Sequence, residues 1–212
     1  MKRITVAITG ASGAIYAQRL LHHLDRSAEI SHVHCIVSAP GRRVLLEELD
    51  ISGSGNELTL ALTGQSVSKV DVLPNSDIGA TVASGSYPSD GMVVIPCSMS
   101  TIGALASGAV TNLVHRAADV TLKENRRLIL VPRETPLHAI HLENMLRLRN
   151  AGAMIVPAMP GFYHRPETIE QLVDHFVFRI FDHLGLAHDR ATMWRGGVRG
   201  SGAEPGIGES FE

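Results

Sequence analysis

The feature that most constrains the fold is a regular alternation of short apolar runs with longer stretches of helical period. The run at residues 92–96 is apolar at every position, which is typical of a strand buried on both faces of a parallel sheet. Further strands are predicted at 4–9, 32–37, 70–73, 128–131 and 154–157, and helices at 16–24, 42–49, 101–109, 113–123, 138–149 and 166–184. This order predicts an α/β protein with a Rossmann-like three-layer α/β/α fold and a mainly parallel sheet of about six strands.

The length of 212 residues fits one α/β domain, which we expect to span residues 1–194. Residues 51–64 are polar, small and poorly periodic, and are predicted to form a surface insertion. After Trp194 the chain is rich in glycine and poor in apolar residues, so it cannot bury enough surface to offset the entropy of ordering. We therefore expect residues 195–212 to form a flexible tail.

Composition and charge exclude several classes of partner. A formal net charge of −2 and the lack of a basic run argue against nucleic acid, and no apolar run approaches the length of a membrane span. The chain enters a strand directly rather than a signal peptide, so a cytoplasmic protein is expected. Cys35 and Cys97 stand far apart in apolar strands and are predicted to be buried free thiols.

A glycine-serine loop, Gly10-Ala11-Ser12-Gly13, joins the first predicted strand to the first helix. A helix N-terminus favours an anion, so the loop is predicted to hold a phosphate or the edge of an electron-rich ring. An ordinary tight turn between strand and helix is the alternative, because a single glycine-rich turn is weak evidence. A short-chain dehydrogenase is excluded, since Tyr16 replaces the third glycine of its fingerprint and no Tyr-x-x-x-Lys occurs.

Hydroxyl side chains cluster after the predicted strand at 92–96. Ser98, Ser100 and Thr101 precede a helix of small residues, and Ser38 follows the strand at 32–37. Any one of them is a good helix cap, but three adjacent hydroxyls exceed what one cap needs. Together with Ser12 they predict a neutral, hydrogen-bonding cradle for a phosphate ester.

A second set of candidate residues is cationic. Arg116 and Lys123 lie seven residues apart on one predicted helix, so they share a face. That face fits ligand binding or a solvated surface paired with Asp119 equally well. Arg133 follows the strand at 128–131, the edge at which parallel sheets bind ligands, and Arg179 lies in the last predicted helix.

Two further side chains are candidates with equally plain alternatives. Tyr163, in the loop after the strand at 154–157, is either a hydroxyl donor to an anion or a packed aromatic. Glu48 lies among leucines in a predicted helix and is either a half-buried acid or a charged surface residue. Of the 11 histidines, the pairs at 32/34 and 138/141 lack the helical spacing and third ligand of a zinc site, so no metal is predicted.

Taken as a set, these segments resemble the UbiX-like flavin prenyltransferases. The resemblance runs in order from Ile4 to about Trp194 and includes Thr9-Gly10-Ala11-Ser12-Gly13, Pro96-Cys97-Ser98, Arg116-Ala117-Ala118-Asp119-Val120, Val131-Pro132-Arg133-Glu134, His141-Leu142-Glu143-Asn144-Met145 and Pro160-Gly161-Phe162-Tyr163-His164. It implies a metal-independent enzyme that joins the dimethylallyl group of dimethylallyl monophosphate to N5 and C6 of reduced FMN. It also implies that the prenylated FMN serves a UbiD-type decarboxylase and that the chain assembles as a homo-oligomer, a dodecamer, with sites between subunits.

The same resemblance assigns roles to individual residues. It places FMN contacts at Gly10, Ala11, Ser12, Ser38, Ser98, Met99, Ser100, Thr101 and Arg133. It places prenyl-phosphate contacts at Arg116, Lys123, Arg133, Tyr163 and Arg179, with Trp194 as aromatic lining. Catalytic roles fall on Ser12, Glu48, Lys123 and Glu134, of which Ser12 is expected beside N5 and Glu48 in proton transfer.

Two other functions are compatible with the predicted fold. A flavin-dependent cysteine decarboxylase would need a Pro-x-Met-Asn-x-x-Met-Trp segment, which the chain lacks. A non-catalytic FMN-binding subunit needs a single phosphate site, whereas the hydroxyl cradle and the cationic set predict two.

Overall fold

The computed structural model of the protein describes residues 1–188. Within this range six strands form one sheet: β1 (Lys2–Ile8), β2 (Ile30–Val37), β3 (Val70–Pro74), β4 (Gly91–Cys97), β5 (Arg127–Pro132) and β6 (Met154–Ile155). Every neighbouring pair is parallel, in the order β3-β2-β1-β4-β5-β6. The predicted tail at 195–212 and Trp194 lie outside the described residues, so the prediction of one domain over 1–194 stays a prediction.

Seven α-helices connect and cover the strands: α1 (Ala14–Arg26), α2 (Ala39–Leu49), α3 (Gly55–Thr63), α4 (Met99–Ser107), α5 (Leu113–Lys123), α6 (Ala139–Asn150) and α7 (Ile169–Leu184). A single 3₁₀ turn, Thr81–Ala83, precedes β4 among the described residues. The predicted Rossmann-like α/β/α fold with a six-stranded parallel sheet is confirmed. Within residues 1–188 no helix combines the length and apolarity needed to cross a bilayer.

Helices cover both faces of the sheet, and consecutive apolar residues of a strand point into the two different cores. Val6 and Val93 belong to a core with α1, α2, α3 and α7, whereas Ala7 and Val94 belong to a second core with α4 and α5. Every residue of β4 is buried. Continuous apolar runs are therefore required here, since a polar side chain on either face would be removed from water without a partner.

The predicted surface insertion at 51–64 is wrong, because most of it forms α3. Leu58 and Leu62 lie one turn apart and are each 1% exposed in the core with α1, a burial that stabilises by about 2 kcal/mol per leucine. The hydroxyls of Thr59 and Thr63 donate to the carbonyls four residues earlier. The helical period was not recognised in the sequence because small and hydroxyl residues separate its few apolar positions. The helix is stabilised mainly by the tertiary burial of its two leucines.

A carboxylate between α1 and α7 ties the first and last helices of one layer together. Asp174 accepts hydrogen bonds from Arg19 Nε at 2.6 Å and lies 3.0 Å from His23 Nε2. Burial raises the pKa of Asp174, but the bonds from His23 and Arg19 and their charges outweigh it and hold the pKa at about 2. The carboxylate is thus ionised throughout the ordinary pH range.

Replacing this carboxylate should destabilise the fold. Asp174→Asn leaves Arg19 without its charged acceptor, and we expect the free energy of unfolding to fall by about 2 kcal/mol at pH 7, measured by urea denaturation. The folded-state pKa is lowered, so the contribution is full above about pH 4 and is lost as pH falls toward 2. The variant should therefore show a flatter stability profile in that window.

The matched control is Glu47→Gln, which removes the exposed pair of Arg43 and Glu47 at 2.7 Å. Exposed pairs contribute little to stability, so this variant should unfold like the parent. Equal losses in the two variants would show that Asp174 has no special role between α1 and α7.

Candidate active site

Three helices begin at one cavity on the carboxyl edge of the sheet. Their N-cap residues, Ser38 of α2, Ser98 of α4 and Asn112 of α5, all line it. The cavity has a volume of about 300 Å³. Because each helix N-terminus carries a partial positive charge and unpaired N–H groups, three of them together form a strong site for an anion.

The hydroxyls on α4 form the contiguous cluster that the sequence predicts. Ser98 Oγ lies 2.9 Å from Ser100 Oγ and 3.0 Å from Thr101 Oγ1. Thr9 Oγ1 donates to Pro96 O and accepts from the backbone N–H of Ser98, both at 2.8 Å. Thr9 therefore joins the loops after β1 and β4 and holds the first turn of α4 against the cavity.

Glycines allow the backbone to form the floor of this cavity. A Cβ on Gly10 would lie 2.4 Å from Pro40 Cβ, and one on Gly41 would lie 2.5 Å from the carbonyl oxygen of Ile8. Both separations are shorter than van der Waals contact, so the first turn of α2 can pack against the loop after β1 only if both positions are glycine.

Three lining residues, Asn75, Asn112 and His115, were not identified from the sequence. Asn75 follows β3 and accepts from Val114 N–H at 3.1 Å, which fixes the start of α5. Burial lowers the pKa of His115, so the imidazole is neutral at pH 7. Asn112 could have been found from the sequence, because an asparagine directly before a helical run is a typical N-cap. His115 could not, because its position depends on how α5 packs.

The lining residues that the structure describes include no lysine and no arginine. An anion here is balanced by helix dipoles, backbone N–H groups and hydroxyls, as the predicted neutral cradle requires. The residues present therefore fit the phosphate of a nucleotide-like cofactor such as FMN.

The glycine-serine loop after β1 has a different role, because a carboxylate already occupies its helix N-terminus. Glu48 Oε2 accepts from the N–H groups of Gly13 at 2.9 Å and Ala14 at 2.7 Å. Gly13 has a φ of 109°, a value that favours glycine. Glu48 is exposed, as the surface-residue alternative predicted, but its carboxylate caps α1, so the loop itself is not a free phosphate site.

Electrostatics keep the Glu48 carboxylate ionised. Burial raises its pKa, but hydrogen bonds from Ser12, Ala14 and Gly13 and the charge of Arg133 outweigh this effect, so the pKa is lowered. Arg133 Nε donates to the Ser12 carbonyl at 3.0 Å. Ser12, Glu48 and Arg133 thus form one connected group at the sheet edge.

Tyr163, in the loop before α7, and Arg179, on α7, both lie near His175 of that helix. The Tyr163 hydroxyl lies 2.7 Å from His175 Nε2, and Arg179 follows one turn later, near enough to lower the pKa of His175, after burial and the charge of His164. Arg179 Nη1 also donates to Asp182 at 2.8 Å. The structure therefore brings Tyr163 and Arg179 to one histidine, though not into the cavity.

The other predicted site residues do not line the cavity. Lys123 ends α5 at the opposite, amino edge of the sheet, where its Nζ lies 2.8 Å from Glu124. Arg116 donates to Asp119 at 3.1 Å and to the Ala83 carbonyl at 3.2 Å, as the solvated-face alternative anticipated. Met99 is 7% exposed in the core, so only its backbone can face a ligand, whereas Glu134 directly follows Arg133 at the carboxyl edge.

The helix-terminus cavity can be tested with two cap deletions that cost similar stability. Ser98→Ala removes the cap of α4 and a cavity hydroxyl, and Thr168→Ala removes the cap of α7, where the hydroxyl accepts from Gln171 N–H at 3.2 Å. Each should cost about 1 kcal/mol of stability. Only Ser98→Ala should weaken FMN binding, by about tenfold, measured by flavin fluorescence quenching. Unchanged binding in Ser98→Ala, or equal weakening in both variants, would show that the cavity is not the phosphate site.

Comparison with known proteins identifies the family. The family model described as Flavoprotein matches residues 1–180. Flavin prenyltransferase UbiX of Alkalihalophilus pseudofirmus is 46% identical over 194 residues, which cover 91% of this chain and 96% of that protein. Peptidyl-cysteine decarboxylase EpiD shares only the fold, at 16% identity and a TM-score of 0.52.

Two solved structures extend this likeness to nearly the whole chain. The dodecameric FMN-dependent UbiX-like decarboxylase from Escherichia coli O157:H7 has a TM-score of 0.82 and 41% identity, covering 92% of this chain and 100% of that one. AnUbiX (PadA1) in complex with FMN and dimethylallyl pyrophosphate has a TM-score of 0.81 and 40% identity, covering 93% and 98%. The resemblance found in the sequence is confirmed: this chain belongs to the Flavoprotein family and, within it, to the UbiX-type flavin prenyltransferases.

Proposed function

We propose that this protein joins the dimethylallyl group of dimethylallyl monophosphate to N5 and C6 of reduced FMN. The observation that carries the proposal is the neutral cavity at the N-termini of α2, α4 and α5. Arg133, Arg179 and Tyr163 lie outside that cavity, at two separate places in the single chain, and offer donors for a second anion. Two phosphorylated molecules, FMN and the prenyl donor, account for both.

In this proposal the neutral cavity holds the FMN phosphate. Ser38, Ser98, Ser100 and Thr101 supply hydroxyls there, and Gly10 brings the backbone close. The isoalloxazine ring then extends toward Ser12 and Ala11, where Glu48 and Arg133 meet. When bound, reduced FMN supplies the nucleophilic nitrogen and carbon to which the prenyl group is joined.

The cationic groups stabilise the leaving phosphate. Breaking the allylic C–O bond leaves its electron pair on the phosphate, and fixed donors lower the energy of the transition state most where that charge develops. Arg133, Arg179 and Tyr163 are donors of this kind in the described chain, and Lys123 is added from a neighbouring subunit. Trp194, outside the described residues, is retained as a proposed aromatic lining of the allyl group.

Glu48 is the proposed proton acceptor for the reaction. Its lowered pKa keeps it ionised at neutral pH, and the carboxylate already accepts a hydrogen bond from the Ser12 side chain. A proton at the flavin edge beside Ser12 can therefore pass to Glu48 through that hydroxyl. Glu134, next to Arg133, has its carboxylate engaged with Thr135 N–H at 3.0 Å, and we propose it as an orienting group.

The proposal includes assembly, recipient and location. The similar Escherichia coli structure is a dodecamer, and a shared site in such an assembly explains why Lys123 lies at the far edge of its own sheet. We propose a UbiD-type decarboxylase as the recipient of prenylated FMN. Two buried free cysteines, Cys35 and Cys97, support a reducing, cytoplasmic location.

The other two functions have less support. A cysteine decarboxylase shares the fold only, and the motif that it needs is missing from the chain. A non-catalytic FMN-binding subunit would leave the Ser12, Glu48 and Arg133 group and the Tyr163 surface without a role.

Product analysis tests the proposed activity directly. Purified protein incubated without oxygen with reduced FMN and dimethylallyl monophosphate should convert the flavin to a species heavier by one five-carbon prenyl unit, measured by mass spectrometry. Omission of the prenyl donor is the control. A flavin of unchanged mass would contradict the proposal.

Mixed oligomers test whether Lys123 acts in a neighbour's site. Lys123→Ala and Arg179→Ala should each bind FMN yet lose turnover, since each removes one donor to the leaving phosphate. When the two variants are co-expressed and assemble at random, about one quarter of the sites should contain both intact residues, and activity should return in that proportion. The control is an oligomer built only from Lys123→Ala chains, which should stay inactive. If the mixed oligomer also stays inactive, Lys123 does not act in a neighbouring subunit's site.

A further inference from the structure

Two histidines and an aspartate lie together on the sheet, away from the flavin cavity. His32 and His34 alternate along β2 and so point to the same face, and Asp71 on the edge strand β3 pairs directly with His34 in the register. Their ligand atoms all lie within 4.8 Å of one another. His34 is four residues from Ser38, about 13 Å along a strand, so the cluster is separate from the cavity.

One nitrogen in this cluster is buried and poorly partnered. His34 Nδ1 is shielded from solvent without a well-aligned hydrogen bond and lies 2.8 Å from Asp71 Oδ1, with the side chain 9% exposed. His32 Nε2 lies 2.6 Å from the same oxygen. Two imidazoles directed at one carboxylate oxygen concentrate three electron-pair donors at a single point.

The other nitrogen of His34 is held by a side chain outside the cluster. Tyr87 Oη lies 2.7 Å from His34 Nε2. When Nε2–H donates to that oxygen, the lone pair of the neutral imidazole is on Nδ1, directed at Asp71. A partner that fixes the tautomer of a histidine in this way is typical of metal ligands in proteins.

We propose that His32, His34 and Asp71 form a binding site for a divalent transition-metal ion of the Zn²⁺ class, with water as the fourth ligand. Nitrogen and carboxylate ligands at about 2.0–2.1 Å from tetrahedral Zn²⁺ lie about 3.3 Å from one another, so small rotations of the partly exposed His32 and Asp71 side chains suffice. The bound ion would join edge strand β3 to β2 and, through Tyr87, to the loop before β4.

The sequence prediction missed this site because it looked for two histidines at helical spacing, whereas His32 and His34 lie on a strand. The sequence prediction of no metal rested on the missing helical pair and third ligand. On a strand, residues two apart share a face, and the third ligand is supplied by a neighbouring strand 37 positions after His34. The proposal therefore replaces that prediction and places the ion outside the flavin chemistry.

Metal titration of the full-length protein tests the proposal. After chelator treatment and dialysis, we expect one Zn²⁺ per chain by isothermal titration calorimetry, and a visible absorption band when Co²⁺ is added instead. Zn²⁺ should also raise the melting temperature, because it binds only the folded arrangement.

Four variants separate the site from surface binding. His32→Gln and Asp71→Asn should abolish the one-to-one binding, and Tyr87→Phe, which keeps all three ligands, should weaken it by about 10–100-fold. His22→Gln, a histidine of α1 outside the cluster, should bind like the parent. All four should bind FMN normally, so failure of the flavin proposal would not affect this result.

The expected order is loss in His32→Gln and Asp71→Asn, weakening in Tyr87→Phe and no change in His22→Gln. Absence of one-to-one Zn²⁺ binding in the parent protein overturns the proposal, as does an equal effect in His22→Gln. An unchanged affinity in Asp71→Asn overturns it as well.

Discussion

The burial of parallel strands on both faces is the constraint on which the rest of this structure depends. β1 and β4 lie at the centre of the sheet with helices on either side, so each must be almost continuously apolar. Parallel connections then bring every strand's carboxyl end, and the start of every following helix, to one edge. The site lies at that edge because the helices that begin there direct their unpaired N–H groups and positive dipole ends toward it.

Anion binding in the neutral cavity depends on backbone geometry more than on charge. Three N-caps, Ser38, Ser98 and Asn112, place their helix termini around one space, and the glycines at 10 and 41 permit the close approach of backbone segments. The dipoles are fixed by the fold, so binding an anion requires no reorganisation of flexible cations.

The N-terminus of α1 shows how the same physical feature takes another role. Its N–H groups are satisfied by Glu48, a residue from α2, and not by a ligand. This intramolecular cap fixes Ser12 and lowers the pKa of the carboxylate through the same hydrogen bonds. A loop that resembles a phosphate cradle thus becomes the support for an ionised acid beside a hydroxyl.

Sequence alone determined the fold class, all six strands of the described residues and the hydroxyl cluster, because these depend on local periodicity and on residues adjacent in the chain. It also placed Arg133 and Tyr163 correctly after their strands. It missed α3, whose leucines are buried by α1, and the lining residues Asn75 and His115, which come from different elements. Only the tertiary structure decided that Glu48 caps α1, that Lys123 lies across the sheet from Arg133, and that Asp71 meets two histidines, because each depends on which distant segments pack together.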